Sequence, residues 1–314
     1  MAARARLPSP DLAKAREIAG RKGDCSEWIA VYLLMQPRYP KNTQAMPELP
    51  EVDAVVRRLH EAAANSTIHS VNIERPGNIA PQNPSAFRAL HGATILNVRR
   101  RAKYIFIELS NKLRVQVHLR MTGNLYVLPD YRFRPHNTRI WFRLGDNRVL
   151  IYEDSRALGR MHLVTDEDIA TTEAALGPEP LEDTFTPALL KTILHSVKSP
   201  IKPAIMDQRR IAGIGNIYAS EALWHARIDP RLPARDVPTR KVSALHSSMQ
   251  KVLRHAVISA YANYTQPGSF PGGESFDVAV YGRYGQPCLK CKQSILRIVQ
   301  GGRSTFFCPN CQHP

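Results

Sequence analysis

The sequence predicts a multidomain α+β protein: a β-sandwich with flanking helices, then a helical domain, then a small zinc-ribbon hairpin. Three observations carry this. Apolar and polar residues alternate along Leu113–Leu119 and again at Ile140–Leu144. Helical spacing takes over beyond Gly177-Pro178, and four of the five cysteines fall at the extreme C-terminus as two C-x2-C pairs. The chain has 314 residues, enough for several compact units. Its 43% apolar content can fill cores and excludes wholesale disorder. No run of eighteen apolar residues occurs, which excludes a bilayer-spanning helix, and no membrane partner is expected. Lys and Arg outnumber Asp and Glu by 43 to 27, a net charge of +16 that points to a polyanion, nucleic acid above all. Aromatic residues are only 7%, which disfavours a pure base-stacking platform for single strands.

Residues 1–45 stand apart as an extension with eight basic and four acidic residues, and Pro37, Pro40 and 41–45 read as linker. No apolar core followed by a small-residue cleavage site marks a secretory signal. From Met46 the character changes. Glu48, Glu51 and Asp53 crowd the start of a helix whose apolar face is Val52, Val55, Val56 and Leu59, with Arg57-Arg58 further on, in agreement with the helix dipole. Strands follow: Val115, Val117 and Leu119 alternate with Gln116, His118 and Arg120, and Val149–Tyr152 is a further apolar run. This pattern predicts a sandwich or barrel with one face in the core and the other basic. Candidate helices then cover 188–197, 203–208, 216–224 and 240–264, with the Gly213-Ile214-Gly215-Asn216 turn joining two of them. Glycine and proline dominate 266–274, the mark of a loop. The expected divisions are 1–45, 46–172 (β-sandwich), 177–275 (helical) and 278–314 (hairpin).

Cys288 and Cys291 are separated by sixteen residues from Cys308 and Cys311. Each C-x2-C turn aims two thiolates at one point, and four soft ligands in a tetrahedron suit a structural zinc ion with no open position for water. Two disulfides are the competing arrangement, disfavoured in a basic chain without a signal. Short strands over 294–300 and 304–307, joined at Gly301-Gly302, complete a zinc-ribbon hairpin. Cys25 lies far from this group.

Several ordered motifs join these features: Met46-Pro47-Glu48-Leu49-Pro50-Glu51-Val52, Arg99–Tyr104, His118–Gly123, Gly177–Leu181, Gly215–Glu221 and Val280–Arg283. Together with the cysteines they make the chain, from Met46 to about Gln312, resemble the formamidopyrimidine-DNA glycosylase family. Its members are base-excision repair enzymes that act on oxidised purines in duplex DNA. The resemblance implies a helix-two-turn-helix domain in the middle of the chain. It implies excision of 8-oxoguanine and formamidopyrimidines, followed by lyase cleavage of the abasic strand through β,δ-elimination. It puts the nucleophilic amine on Pro47 and the acid and base on Glu48. A secondary amine can form an iminium with an opened sugar. Glu51 then serves either the site or the helix dipole alone.

By the same resemblance, Lys103 holds the phosphate next to the lesion and Arg303, on the zinc hairpin, is the family's phosphate-binding arginine. His118 and Asn216 contact phosphate, the latter beside backbone N–H groups suited to an anion. Arg283 and Lys290 read as general charge. Flipping a base out of the duplex leaves a gap to fill. Met121 matches the first wedge residue and Arg156 the arginine that pairs with the orphaned base. Leu158 stands where phenylalanine is common and Ala157 where a basic residue is usual, so opposite-base discrimination is open. The segment 266–274 matches the lesion-capping loop.

The implied partner is damaged double-stranded DNA and the implied cofactor one structural zinc. A monomer in a bacterial cytoplasm, associated with the nucleoid, is expected, and residues 1–45 leave organelle targeting open. An endonuclease VIII-like preference for oxidised pyrimidines is the alternative chemistry, against which Leu49 stands where that branch has glycine. A non-catalytic binder of damaged DNA is the third reading. Proline inside a chain is a tertiary amide without nucleophilic character, so catalysis requires that translation start at Met46 or that processing expose Pro47.

Overall fold

Residues 46–263 and 277–313 are described by a computed structural model. The expected loop at 266–274, Cys25 and the extension lie outside the described residues. The first helix of the described residues is α1 (Leu49–Ala63), with Pro50 in its first turn and Glu51 the acidic residue there. Its Leu49, Val52, Val55 and Leu59 are buried, as their helical spacing predicts.

Eight strands follow: β1 (Ile68–Ile73), β2 (Ile95–Arg101), β3 (Tyr104–Leu109), β4 (Arg114–His118), β5 (Gly123–Leu128), β6 (Thr138–Leu144), β7 (Val149–Asp154) and β8 (Arg160–Val164). They form two antiparallel four-stranded sheets, ordered β1-β6-β7-β5 and β2-β3-β4-β8. Val115, Val117, Ile140, Phe142 and Tyr152 turn into one core together with the apolar face of α1. Strand alternation therefore had the meaning expected of it: one face of each sheet is core. The other face of β4 is not simply basic surface. Arg114 pairs with Asp166 and Gln116 bonds to Thr172, both on a helix the periodicity did not announce, α2 (Asp166–Ala174). Only Ile169 of α2 is buried, and what marks it is a capping box between Thr165 and Asp168.

Two connections cross between the sheets at the same end of the sandwich. Residues 119–122 carry the chain from β4 to β5, and residues 155–159 carry it back from β7 to β8. Because β4 pairs with β8 and β5 with β7, the two crossings lie side by side.

The helical half comprises α3 (Pro187–His195), α4 (Ile201–Met206), α5 (Asn216–His225) and α6 (Thr239–Asn263) around their own core of Leu190, Ile205, Ile217, Leu223, Leu245 and Leu253. Arg58 of α1 stacks on Tyr261 of α6, 4.1 Å from the ring centroid, and helps join the two halves. Strands β9 (Leu296–Gln300) and β10 (Arg303–Phe307) form the C-terminal hairpin, slightly shorter in its first strand than expected. No helix among the described residues is long and apolar enough to cross a membrane.

Candidate functional site

The start of α1 is inserted against the turn that begins α5. Leu49 N–H donates to Gly213 O at 3.1 Å. Glu48 is buried, and its carboxylate accepts the Gly215 N–H at 2.7 Å and the Ile217 N–H at 2.8 Å. The start of α5 thus spends two of its free donors on Glu48. Two of the backbone donors beside Asn216, those of Gly215 and Ile217, are thereby taken by a carboxylate from the same chain. Burial raises the pKa of Glu48, against the opposing pull of Lys103 and these N–H groups.

Glu51 lies directly behind. It accepts the Glu48 N–H at 2.9 Å and the Tyr218 hydroxyl at 2.5 Å. Burial, and then the negative charge of Glu48, push its pKa up to about 7. A carboxylate that served only the helix dipole would stay in solvent, whereas Glu51 is part of the buried site. Pro47 is itself buried at the mouth of this arrangement.

Lys103 stands at the tip of the β2–β3 hairpin, after Ala102 in left-handed conformation (φ 53°). Its Nζ donates to Ile214 O at 3.0 Å, and burial lowers its pKa. The tip is held by Glu179, a buried carboxylate that Arg100 grips at 2.8 and 2.9 Å, Arg101 at 3.2 Å and the Ala102 N–H at 2.5 Å. The Gly177-Pro178-Glu179 motif is therefore a strut between the helical half and the Lys103 turn.

His118 is partly buried at the end of β4, edge-on to Tyr104 at 4.9 Å between ring centroids. Burial, then the charges of Arg120 and Lys103, lower its pKa to about 3. The neutral ring accepts the Arg120 N–H on Nδ1 at 3.1 Å, so the proton sits on Nε2, free to be donated.

Asn216 makes two side-chain bonds: Oδ1 accepts from Lys202 Nζ at 2.6 Å, and Nδ2 donates to the Tyr281 hydroxyl at 3.4 Å. Lys202, which sequence reasoning did not single out, also donates to Ser304 O and Thr305 Oγ1, both at 2.9 Å. Burial pulls its pKa to about 7, while three close acceptors match the three N–H bonds of an ammonium. The geometry favours the charged form. Lys202 and the exposed Arg303 line one cleft of about 200 Å³ with Met206 and Asp207. The only signal for Lys202 in the sequence is a lysine among apolar residues, Ile201, Ala204 and Ile205.

Met121, Arg156 and Leu158 come together on the two adjacent sheet crossings. Arg156 Nη1 lies 3.3 Å from Met121 Sδ, Arg156 is exposed and Leu158 is 43% exposed. Beneath them, the buried Asp154 accepts the Gly159 N–H at 2.8 Å, the Arg156 N–H at 3.2 Å, the Tyr152 hydroxyl at 3.2 Å and the Thr122 hydroxyl. Asp154 was also not foreseen.

The four C-terminal cysteines are free thiols whose sulfur atoms all lie within 4.8 Å of one another, which removes the two-disulfide arrangement. Cys288–Cys311 and Cys291–Cys308 are 3.9 and 3.4 Å apart. Zinc at about 2.3 Å from each sulfur requires S···S separations of roughly 3.8 Å, so the donor set fits. The hairpin is fixed to the helical half through Glu221, whose buried carboxylate accepts the N–H groups of Ala279, Val280 and Tyr281 at 2.8–3.0 Å.

Architecture and site together define a class: a β-sandwich and helix-two-turn-helix protein with a zinc ribbon, in which buried carboxylates lie beside converging cations. Comparison with known proteins specifies it. Residues 46–161 match the formamidopyrimidine-DNA glycosylase N-terminal domain, 176–265 the H2TH domain of the same proteins, and 285–314 the zinc finger found in FPG and IleRS. The formamidopyrimidine-DNA glycosylase of Chloroflexus aggregans is 41% identical over 272 residues, covering 85% of this chain and 98% of the relative. That of Streptococcus pneumoniae serotype 4 is 35% identical, with coverage of 85% and 99%. The Lactococcus lactis enzyme bound to DNA containing an abasic site superposes with TM-score 0.77 at 30% identity, over 85% of this chain and all of that one. The same enzyme with Fapy-dG-containing DNA gives 0.78, again at 30% identity and with the same coverage. This chain belongs to the formamidopyrimidine-DNA glycosylase family, and its four cysteines form the site of one structural zinc ion.

Proposed function

We propose that this protein is a base-excision repair glycosylase that removes oxidised purines from duplex DNA and then cleaves the abasic strand as a lyase. The carrying observation is the Glu48 carboxylate, buried behind Pro47 and held by the α5 N-terminus. With its nitrogen free, Pro47 attacks the sugar C1′, and the C1′–N bond breaks as the base leaves with the electron pair and takes up a proton. Glu48, whose burial favours the protonated form, delivers its proton to the ring oxygen as the sugar opens to the iminium. As the carboxylate it then serves as base for the eliminations that cut the strand. A free α-amine titrates near ~8, and neighbouring Lys103 disfavours further positive charge, so a neutral fraction is available at physiological pH.

Lys103 and Arg303 would hold phosphates flanking the lesion, with the neutral Nε2–H of His118 and the Asn216 side chain as further donors. Met121 and Leu158 would fill the gap left by the flipped base, and Arg156 would pair with the orphaned one. Relatives with 8-oxo-G-containing and Fapy-dG-containing DNA support the substrate class. The domain divisions at 46–172, 177–275 and 278–314 follow the same reading. Zinc, four-coordinate through cysteine, shapes the hairpin that presents Arg303 and does not contact the substrate.

The reading requires a free Pro47, and the family match beginning at residue 46 supports one. Mass analysis of the N-terminus in the native protein, paired with borohydride trapping on an 8-oxoguanine duplex, tests it. Chains beginning at Pro47 should form a covalent DNA adduct, and Pro47→Gly in that form should lower the yield sharply. If chains with a free Pro47 form no adduct, the enzymatic reading is wrong.

A further inference from the structure

The zinc centre has a partner outside its own hairpin. Trp224 lies in the last turns of α5, the helix whose first turn holds Glu48, and it rests against the cluster of Val280, Ile295 and the four cysteines. Its indole Nε1 is buried and has no hydrogen-bond partner among the described residues. Such an orphaned donor is costly unless something accepts its proton. The group it faces is the sulfur of Cys288, which also receives the backbone N–H groups of Cys291 and Lys290. The N–H···S pair falls short of strict hydrogen-bond geometry at the present sulfur positions, which are uneven, 3.9 Å on the Cys288–Cys311 side and 3.4 Å on the other. With zinc bound, the four cysteines would be held as thiolates, far better acceptors than thiols.

We propose that Trp224 is a positioning residue for the zinc centre, its indole N–H donating to the Cys288 thiolate. Four thiolates around one Zn²⁺ leave two net negative charges in a partly buried place, and donors to sulfur disperse them. Most such donors here come from the backbone of the C-x2-C turns themselves; Cys311 N–H to Cys308 Sγ at 3.4 Å is one. Trp224 differs because it belongs to α5. Metal occupancy is thereby tied to the orientation of the helix that carries Ile217 and Asn216 at its other end. A phenylalanine would fill the same apolar space and leave the sulfur without this donor.

The full chain loaded with cobalt(II) in place of zinc reads the contact directly. Trp224→Phe should shift the sulfur-to-cobalt charge-transfer bands and weaken zinc binding in chelator competition by about ten- to a hundredfold. An unchanged affinity with unchanged bands would overturn the proposal. The wild-type chain supplies a second reading that does not depend on the variant folding. With ¹¹³Cd in the site, the Trp224 indole proton should show cadmium coupling through sulfur and slow hydrogen exchange, lost on chelation. An indole proton that exchanges equally fast with and without metal rejects the contact even if Trp224→Phe fails to fold.

Discussion

The seam between α1 and α5 and the pair of sheet crossings differ in almost every physical respect. In the seam, Glu48 and Glu51 are buried, and each oxygen discussed above has a donor within 2.9 Å. On the crossings, Arg156 and Leu158 project into solvent, and the fixed part lies one layer below, in Asp154. An acid that must hold a proton near neutrality needs desolvation, which only a closed site supplies. Side chains proposed to enter a duplex must be uncovered, so rigidity can reach them only through the backbone that carries them. The two regions solve opposite problems, one by enclosing its functional groups and the other by bracing their stems.

The sharpest way to break the seam is at Gly215, where an added Cβ would fall 2.4 Å from the Glu48 carboxyl carbon and 2.6 Å from Oε1. Gly215→Ala must displace Glu48, and single-turnover base excision should fall by about two to three powers of ten, the scale of a lost general acid. DNA affinity should change far less. Retention of full excision would show that Glu48 does not carry the proton.

On the crossings the matching change is Asp154→Ala. It removes the acceptor for Arg156, Gly159, Tyr152 and Thr122 at once. Leaving buried donors unpaired should cost about 1–3 kcal/mol in stability. Discrimination between cytosine and adenine opposite the lesion should weaken roughly tenfold, measured as the ratio of excision rates on the two duplexes.

A smaller effect separates Glu51 from an ordinary surface carboxylate. Its pKa rises from 4.5 to about 7 on folding. Between these values the folded chain keeps a proton that the unfolded chain has released, so stability falls as pH rises through that window. The full shift is worth at most about 3 kcal/mol. Glu51→Gln has no proton to lose, and urea midpoints measured from pH 5 to 8 should be flatter than in the parent. Equal slopes would mean that Glu51 is ionised in the fold.

The smallest effect is expected from Leu158→Phe. The side chain is 43% exposed, so stability should move by no more than about 0.5 kcal/mol. The added ring can stack between base steps, and opposite-base selectivity should improve a few-fold.

Much of this site was legible before any coordinates. The residues of the Met46–Val52 motif, the Gly213–Asn216 turn and the cysteine spacing are local in the chain, and local spacing constrains local geometry. Glu179, Lys202 and Trp224 were not assigned roles because each acts across a long sequence separation, and Asp154, though most of its partners are near in sequence, sits in a strand end that no periodicity marks. Lys202 reaches Thr305 and Glu179 reaches Ala102, contacts that no periodicity encodes. Helix α2 escaped for a different reason: with one buried residue it has no apolar stripe to read.

By itself, the sequence determined the three-part order, the strand and helix periods, the ligand set for zinc and the family. These follow from side-chain alternation, glycine placement and thiol spacing, all short-range properties. Only the tertiary structure decided where the donors of the α5 N-terminus go. An open helix start would attract a phosphate, and here the chain supplies its own anion, Glu48, from residues far away in sequence. That choice converts a basic DNA-binding surface into one with a buried acid at its centre, because burial and three-dimensional contact, not composition, set where a carboxyl group keeps its proton.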